Sequence, residues 1–169
     1  MQIQTVLIDS PEMFRRGVVE DVEFRSLTAF DDQRGWLVEL FREDEIDSCY
    51  QPSMAYVSVT LPGIARGPHE HRQQTDLFAF VGPGDCKLYL WDMRPDSSTY
   101  GNRQTVIVGE SNMQSVIIPP GIVHAYKNIS PQPAWVFNAP NCLYRGEGKS
   151  GLVDEIRYED QDSCLFLFD

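Results

Sequence analysis

Short runs of apolar or alternating residues recur along the chain, and each is closed by glycine, proline, asparagine or aspartate. Seven of these runs predict strands, at residues 36–41, 55–61, 77–81, 87–93, 104–108, 114–119 and 134–139. Strands at this spacing, with almost no 3.6-residue periodicity between them, are typical of an antiparallel sandwich or barrel. The pattern therefore predicts an all-β fold in a single domain over residues 1–169.

Helix is predicted in only two short segments. At residues 10–14, Ser10 can cap the first turn and Pro11 suits the first helical position. The acidic segment at residues 42–49 is the second prediction.

The run AYVSVTL at residues 55–61 alternates between two faces. Val57 and Val59 share one face while Tyr56 and Ser58 share the other, because successive side chains of a strand point to opposite sides. One face then packs on the core or a partner sheet, and the other lines a polar cavity. Ser58 is therefore a candidate contact for a substrate.

The composition of the chain mainly excludes certain classes of partner. The chain carries a formal net charge of −11 and has a pI near 4.6, so nucleic acid and anionic membranes are not expected as partners. Arginine makes up most of the basic residues, and its planar fork grips phosphate, so a small anionic ligand fits better. The sequence shows neither a signal peptide nor an 18-residue apolar stretch, so the cytoplasm is the expected location.

The histidines are the clearest candidates for chemistry. The chain has three, and two of them, His69 and His71, stand one residue apart. On a strand such a pair projects into the same space. His124 follows a Pro-Pro-Gly turn that can bring it back toward the same interior. Histidine serves both proton transfer and metal binding, so the cluster predicts a functional pocket.

These residues resemble the two motifs of the cupin superfamily. The first motif is a glycine, five residues, His-x-His and a nearby acid, found here as Gly63, His69, His71 and Asp76. The second is Pro-x-Gly, two residues, His, three residues and Asn, found here as Pro119-Pro120-Gly121, His124 and Asn128. The resemblance implies a cupin barrel, the double-stranded β-helix or jelly roll.

A narrower resemblance covers about residues 30 to 160. DQRGWLVE, IARGPH, DMRPDSSTYG, IPPGIVHAY and IRYED look like the dTDP-4-dehydrorhamnose 3,5-epimerase family. Members of that family are homodimers that bind a deoxythymidine-diphosphate sugar and epimerise carbons beside its keto group, without a cofactor. The resemblance implies a homodimer in which N-terminal strands, within about residues 1–45, are exchanged between subunits.

The same resemblance implies roles for individual residues. His69 would be the base that removes a proton beside the carbonyl, with Asp160 as the carboxylate that orients it, while His71 and His124 polarise the substrate or relay protons. Arg66 would face the sugar diphosphate. Two more residues match positions that hold the nucleotide across the dimer interface, namely Arg34 and Glu39.

Two departures from the family pattern affect the expected chemistry. The lysine that stabilises the enolate falls at Asp76, and the tyrosine that acts as acid falls at Phe137. Tyr144 is close enough in sequence to replace that tyrosine from a shifted loop. Loss of both groups also fits a relative that binds a nucleotide sugar without turning it over.

The sister group of nucleotide-sugar 3,4-ketoisomerases offers an alternative. It resembles this chain in its Arg-Gly-x-His-x-His element, here Arg66 to His71. Two histidines there shuttle a proton along one face of the sugar through an enediol, with no acid needed opposite. This would explain why His71 stands where 3,5-epimerases usually have glutamine.

A metal-dependent cupin, such as an oxygenase or a metal isomerase, is the other alternative. Three imidazoles and one carboxylate suit a divalent transition metal with open positions for substrate, and the set is His69, His71, Asp76 and His124. A bound cation could also stabilise the enolate in place of the missing lysine.

Overall fold

The computed structural model describes residues 13–161 and 165–169. Within these residues it has two single 3₁₀ turns, Ser48–Tyr50 and Glu147–Lys149. Its strands are β1 (Arg15–Arg16), β2 (Glu23–Ser26), β3 (Ala29–Asp32), β4 (Gly35–Val38), β5 (Tyr56–Thr60), β6 (Ala65–Glu70), β7 (Asp76–Phe80), β8 (Asp85–Asp92), β9 (Asn102–Gly109), β10 (Gln114–Ile118), β11 (Ile122–Asn128), β12 (Ala134–Asn138) and β13 (Ile156–Arg157).

Two sheets form the body of the molecule. The first sheet has the order β1-β9-β8-β11-β6-β13, and the second has the order β2-β10-β7-β12-β5. From β6 to β12 the chain passes repeatedly from one sheet to the other, as in a jelly roll. The predicted all-β cupin fold is confirmed, and each of the seven runs that predicted a strand contributes one.

The four N-terminal strands β1 to β4 all pair within their own chain. β1 lies parallel to β9, and β2 lies antiparallel to β10. The hairpin of β3 and β4 forms a separate two-stranded sheet. Residues 1–45 are the segment expected to exchange between subunits. Of the strands described in that segment, β1 and β2 belong to the two main sheets, whereas β3 and β4 do not.

The helix predicted over residues 42–49 is wrong. The described chain there has only the 3₁₀ turn Ser48–Tyr50, capped by Asp47, whose side chain accepts from the Cys49 amide at 3.0 Å. The acidic segment has no apolar stripe to bury, and only Ile46 reaches the core, so nothing stabilises a longer helix.

Most of the other predicted helix cannot be assessed. Its residues 10–12 lie outside the described residues, and Met13 and Phe14 form a bend. In the described parts of the chain, no helix is long and apolar enough to cross a membrane. The cytoplasmic location stays a prediction.

The main core lies between the two sheets. Leu88 and Leu90 of β8 and Ile122 of β11 are completely buried against Val116 and Val136 of the second sheet. Each such side chain contributes about 1.5–3 kcal/mol through burial of apolar surface. This core fixes the first sheet against the second, and strands β6 and β11 of the first sheet carry the histidines.

The DMRPDSSTYG segment builds the connection between β8 and β9. Asp92 is fully buried and accepts hydrogen bonds from Arg94 Nη2 at 2.9 Å, Ser97 Oγ at 2.5 Å and Thr99 Oγ1 at 2.6 Å. Burial alone would raise the pKa of Asp92, but these hydrogen bonds outweigh it and hold the pKa well below its usual range. The polar residues of DMRPDSSTYG therefore have a structural role, because they form a turn around the buried carboxylate of Asp92.

Candidate active site

The three histidines converge at one place between the sheets. His69 on β6 pairs directly with His124 on β11, and His71 follows the end of β6. The ring centroids of His69 and His124 are 4.5 Å apart, and the His71 ring lies 5.8 and 5.9 Å from them. The predicted cluster is confirmed.

The close approach of β6 to β11 depends on a glycine. Gly67 has a φ of +83°, and a Cβ at this position would lie 2.6 Å from the His124 carbonyl oxygen. Any other residue would push the two strands apart or strain the backbone. The glycine in the Arg-Gly-Pro-His sequence therefore lets the first and second motifs lie side by side.

Asp76 forms the polar floor of the cluster. Its Oδ2 atom lies 3.1 Å from His71 Nε2 and 3.3 Å from His124 Nε2, and the side chain is only 1% exposed. Burial would raise the pKa of Asp76, but hydrogen bonds from His124 and His71 outweigh it and keep the pKa well below its usual range. Asp76 is therefore a buried carboxylate at neutral pH.

His71 carries the matching positive charge. Burial would lower its pKa, but the hydrogen bond and charge of Asp76 outweigh burial and raise the pKa of His71 to about 9. Its Nδ1 atom contacts the backbone carbonyl of Asp154. The Asp154 carboxylate in turn accepts from the amides of residues 72, 73 and 74 at 2.9–3.1 Å. One residue near the end of the chain thus fixes the segment that follows β6.

His69 differs from His71 in its charge. Burial, together with repulsion from His124 and His71, lowers the pKa of His69 to about 2, so its imidazole is neutral at neutral pH. Its Nδ1 atom lies 3.7 Å from Glu155 Oε1. A neutral imidazole with a carboxylate nearby can accept a proton and have the resulting charge balanced.

The expected partnership of His69 with Asp160 is not found. Asp160 lies in the turn after β13, where its side chain is 67% exposed and its Oδ2 atom is 3.1 Å from Arg157 Nε. The reason is geometric: β13 has only two residues, and the chain turns immediately afterwards. Glu155, which precedes β13, takes the position beside His69.

A cavity of about 890 Å³ opens beside the cluster, within the size range of small-molecule sites. His69 and His71 line it, whereas His124 is buried next to them at 2% exposure. The placement therefore leaves His124 in contact with Asp76 and the other imidazoles, from where it can relay charge or a proton.

Three predicted substrate contacts line the same cavity: Ser58, Arg66 and Tyr144. Arg66 Nη2 donates to the Val59 carbonyl at 2.9 Å, which holds the guanidinium against β5. Ser58 Oγ lies 2.7 Å from Tyr126 Oη. Tyr144 is 54% exposed. These side chains are placed where a ligand can reach them, and their roles stay predictions.

Arg34 and Glu39 are not brought to the cavity within one chain. The Arg34 side chain is 83% exposed in the turn of the hairpin β3–β4, where its Nε lies 3.0 Å from Asp32 Oδ2. Glu39 follows β4 and lies 3.5 Å from Arg42 Nη1. Neither residue lines the cavity, so their contact with a nucleotide stays a prediction.

Phe137 does not occupy the wall where a catalytic tyrosine was expected. On β12 the inward side chains include Val136 and Asn138, which are 1% and 3% exposed, so Phe137 belongs to the outer face with Trp135. A shift of one residue moves a strand position to the opposite face. Asn138 therefore holds the inward position, directly opposite Tyr56 on β5.

Sequence reasoning missed several residues of this site. Glu155 follows a loop without periodicity, and no pattern marks it. Tyr56 could have been found, because it shares the inward face of β5 with Ser58. Two cations of the cavity wall, Arg145 and Lys149, lie in a loop that the motifs do not cover.

A metal ion could be held by the three imidazoles, whose donor nitrogens all lie within 4.8 Å of one another. Asp76, the fourth member of the predicted metal set, instead places Oδ2 against the Nε2 atoms of His71 and His124. A cation bound there would have to displace both contacts. The arrangement of Asp76 fits an ion-pair network better than a metal ligand.

Comparisons with known proteins agree with this geometry. The family model described as dTDP-4-dehydrorhamnose 3,5-epimerase matches residues 17–162. The probable low-salt glycan biosynthesis epimerase Agl13 of Haloferax volcanii is 41% identical over 75% of this chain and 81% of its own length. The spore coat polysaccharide biosynthesis protein SpsL of Bacillus subtilis is 32% identical, over 75% of this chain and 83% of its own.

The fold is also similar to that of a solved structure. The crystal structure of a dTDP sugar isomerase from Desulfovibrio desulfuricans G20 superposes with a TM-score of 0.76 and 26% identity. The match covers 89% of this chain and 91% of that protein.

Proposed function

Because this chain belongs to the dTDP-4-dehydrorhamnose 3,5-epimerase family, we propose that it acts on a 4-keto-6-deoxyhexose carried by a nucleoside diphosphate. Its class, a sugar epimerase of deoxysugar or glycan biosynthesis, follows from the relatives and favours this function over a metal-dependent cupin. The observation that carries the proposal is the neutral imidazole of His69, 15% exposed at the cavity wall, with Glu155 beside it.

In the proposed reaction, His69 removes the proton from the carbon next to the keto group. The electron pair moves into the carbonyl to form an enolate, and Glu155 balances the charge of the protonated imidazole. Return of a proton from the other face inverts the carbon. These steps use only side chains, so the proposal includes no cofactor.

The carboxylate of Asp76 does not oppose this chemistry. It stands where the family has a lysine, and an uncompensated carboxylate would repel a developing enolate. Here the protonated imidazole of His71, 3.1 Å away, neutralises it. The charges of Asp76 and His71 cancel, so this part of the cavity wall is close to neutral. His71 is the positive member of the pair, and it lines the cavity.

A 3,4-ketoisomerase is the second candidate. His69 and His71 lie on the same wall with ring centroids 5.8 Å apart, which suits transfer of a proton along one face of a sugar. The two candidates differ in their product: an epimer keeps its keto group in place, whereas a ketoisomer moves it.

Incubation with dTDP-4-keto-6-deoxyglucose in deuterated water tests the function. Abstraction by His69 exposes the carbon to solvent protons, so we expect deuterium in the sugar beside the keto group, measured by mass spectrometry and NMR. Exchange should survive dialysis against a chelator, because no step uses a metal. Unlabelled sugar would contradict the proposal, and exchange that is lost with the metal and restored by a divalent cation would support the metal-dependent alternative.

The diphosphate has suitable contacts in the cavity. Three cationic side chains line it, Arg66, Arg145 and Lys149, besides Arg157 and the acidic residues Asp154, Glu155 and Glu159. Guanidinium and ammonium groups bind phosphate through charge-assisted hydrogen bonds. We place the diphosphate among these three residues, with the sugar toward the histidines.

The active form is proposed to be a homodimer. Phe30, Trp36 and Leu37 of the hairpin are 52–57% exposed, and Val59 and Trp135 on the outer face of the second sheet are 44% and 46% exposed. Apolar surface of this extent marks an interaction site. A partner that covers these faces would place Arg34 and Glu39 of one hairpin near the cavity of the other subunit.

Trp36→Glu should separate the subunits, because a carboxylate would have to be buried in the interface. We expect the wild-type protein to sediment at twice the chain mass and the variant at the chain mass, with weaker dTDP binding by calorimetry. Ile107→Glu, at a 50% exposed position of β9 in the first sheet, is the matched control. A monomeric wild-type protein would contradict the proposal.

A further inference from the structure

Tyr56 places a phenol in the cavity on the wall that faces the histidines. It belongs to β5 of the second sheet, whereas His69 belongs to β6 of the first. Both residues line the cavity. Because stacked sheets lie about 10 Å apart, a sugar ring between them would have the imidazole on one side and the phenol on the other.

The direction of the hydrogen bonds at Tyr56 can be assigned. Asn138 Nδ2 lies 2.9 Å from Asp76 Oδ1 and 2.9 Å from Tyr56 Oη. The ionised Asp76 can only accept, so the amide must present its nitrogen, and that nitrogen donates to both oxygens. Tyr56 Oη is therefore an acceptor from Asn138, and its own proton remains available for an acceptor in the cavity.

We propose that Tyr56 is the catalytic acid that protonates the sugar from the face opposite His69, an inference that rests on the function proposed above. The Tyr56 O–H bond breaks as a new C–H bond forms at the enolate carbon, using the electron pair of the enolate. The carbonyl is restored, and the phenolate then takes a proton from water while His69 releases one. The sum is inversion at carbon with no net change in protons.

The surroundings of Tyr56 suit both protonation states. Burial raises the pKa of Tyr56 to about 12, and the charge of Asp76 adds to this, so the phenol keeps its proton until an enolate forms. The Asn138 N–H then donates to the phenolate and lowers its energy. Two other phenols line the cavity. Tyr126 has its hydroxyl 2.7 Å from Ser58 Oγ and lies deeper, at 4% exposure, whereas Tyr144 is 54% exposed.

Tyr56→Phe tests the assignment, because it removes only the hydroxyl. We expect epimer formation to fall by about 100-fold, the usual range for loss of a general acid, while deuterium exchange at the abstracted position continues. His69 can still remove a proton and return a deuteron to the same face. Tyr100→Phe, an exposed tyrosine outside the cavity, is the matched control and should leave both rates unchanged.

The outcomes separate the two proposals. Wild-type epimer formation by Tyr56→Phe would overturn the role of Tyr56, and so would a parallel loss of exchange and epimerisation, which a structural defect produces. A wild-type product with a shifted keto group would also overturn it, because that reaction uses one face. Absence of exchange in the wild-type protein would instead contradict the proposed function.

Discussion

Replacement of His69 by asparagine is expected to lower both solvent exchange and product formation by about 10³-fold, within the range for loss of a general base. The variant loses the neutral ring nitrogen that accepts the proton, while its neighbours His124 and Asp76 stay in place. Affinity for dTDP should change little, because the base contacts the sugar. Product formation followed by NMR, with dTDP binding by calorimetry, measures the two effects separately.

Glu70→Gln is the matched control for His69→Asn. Glu70 is the next residue of β6, points to the other side of the strand, and accepts from the Tyr158 hydroxyl at 3.0 Å, a bond that glutamine can keep. Wild-type turnover by His69→Asn would remove His69 from the mechanism.

The carboxylate that serves His69 can be identified in the same assay. The structure places Glu155 3.7 Å from the ring and leaves Asp160 with Arg157 on the surface. Glu155→Gln should therefore reduce kcat more than Asp160→Asn does. The reverse order would show that Asp160 reaches His69 during turnover.

Asp76→Asn is expected to cost about 3–5 kcal/mol of unfolding free energy near pH 6, the usual penalty for removing one partner of a buried ion pair. The substitution leaves the charge of His71 uncompensated in the interior. Urea unfolding followed by tryptophan fluorescence measures the loss. Asp96→Asn, at an exposed position, is the control and should be within about 0.5 kcal/mol of wild type.

The same variant should change the pH dependence of stability. The folded-state pKa of Asp76 lies below its ordinary value of 3.8, so its contribution is present above about pH 4 and is lost as the pH falls through the folded value. The pKa of His71 rises from 6.5 to about 9, so its contribution is complete below 6.5 and is lost as the pH approaches 9. The difference between wild type and Asp76→Asn should therefore be largest between these limits and shrink toward pH 9. A constant difference would contradict the ion pair.

Local patterns predicted seven of the thirteen strands found in the described residues. Strands such as β7 and β10 are fully buried and mostly apolar, so the run itself identifies them. β1 and β13 have two residues each and exist only because a neighbouring strand offers hydrogen bonds, which no local pattern reveals. The prediction of a helix at residues 42–49 was wrong because the segment has no apolar face that a helix could bury.

The site was predictable where a motif fixed both residue type and spacing. His69, His71 and His124 converge because their motifs lie on paired strands. Phe137 and Asp160 do not line the cavity, because a position counted along the chain does not fix the face of a strand or the place where it ends. Arg34 and Glu39 lie outside the cavity lining of one chain, and the contact proposed for them needs a second subunit, which one sequence cannot position.

The contact between Asp154 and His71 can form only late in the synthesis of the chain. The carbonyl and carboxylate of Asp154 hold the residues after β6, more than 80 positions earlier in the chain. On a ribosome that makes protein from the N-terminus, strands β1 to β12 emerge before Asp154, whereas β13 follows it. A chain cut short at residue 150 lacks Asp154, Glu155 and β13, so under the mechanism proposed above we expect incomplete copies to be inactive.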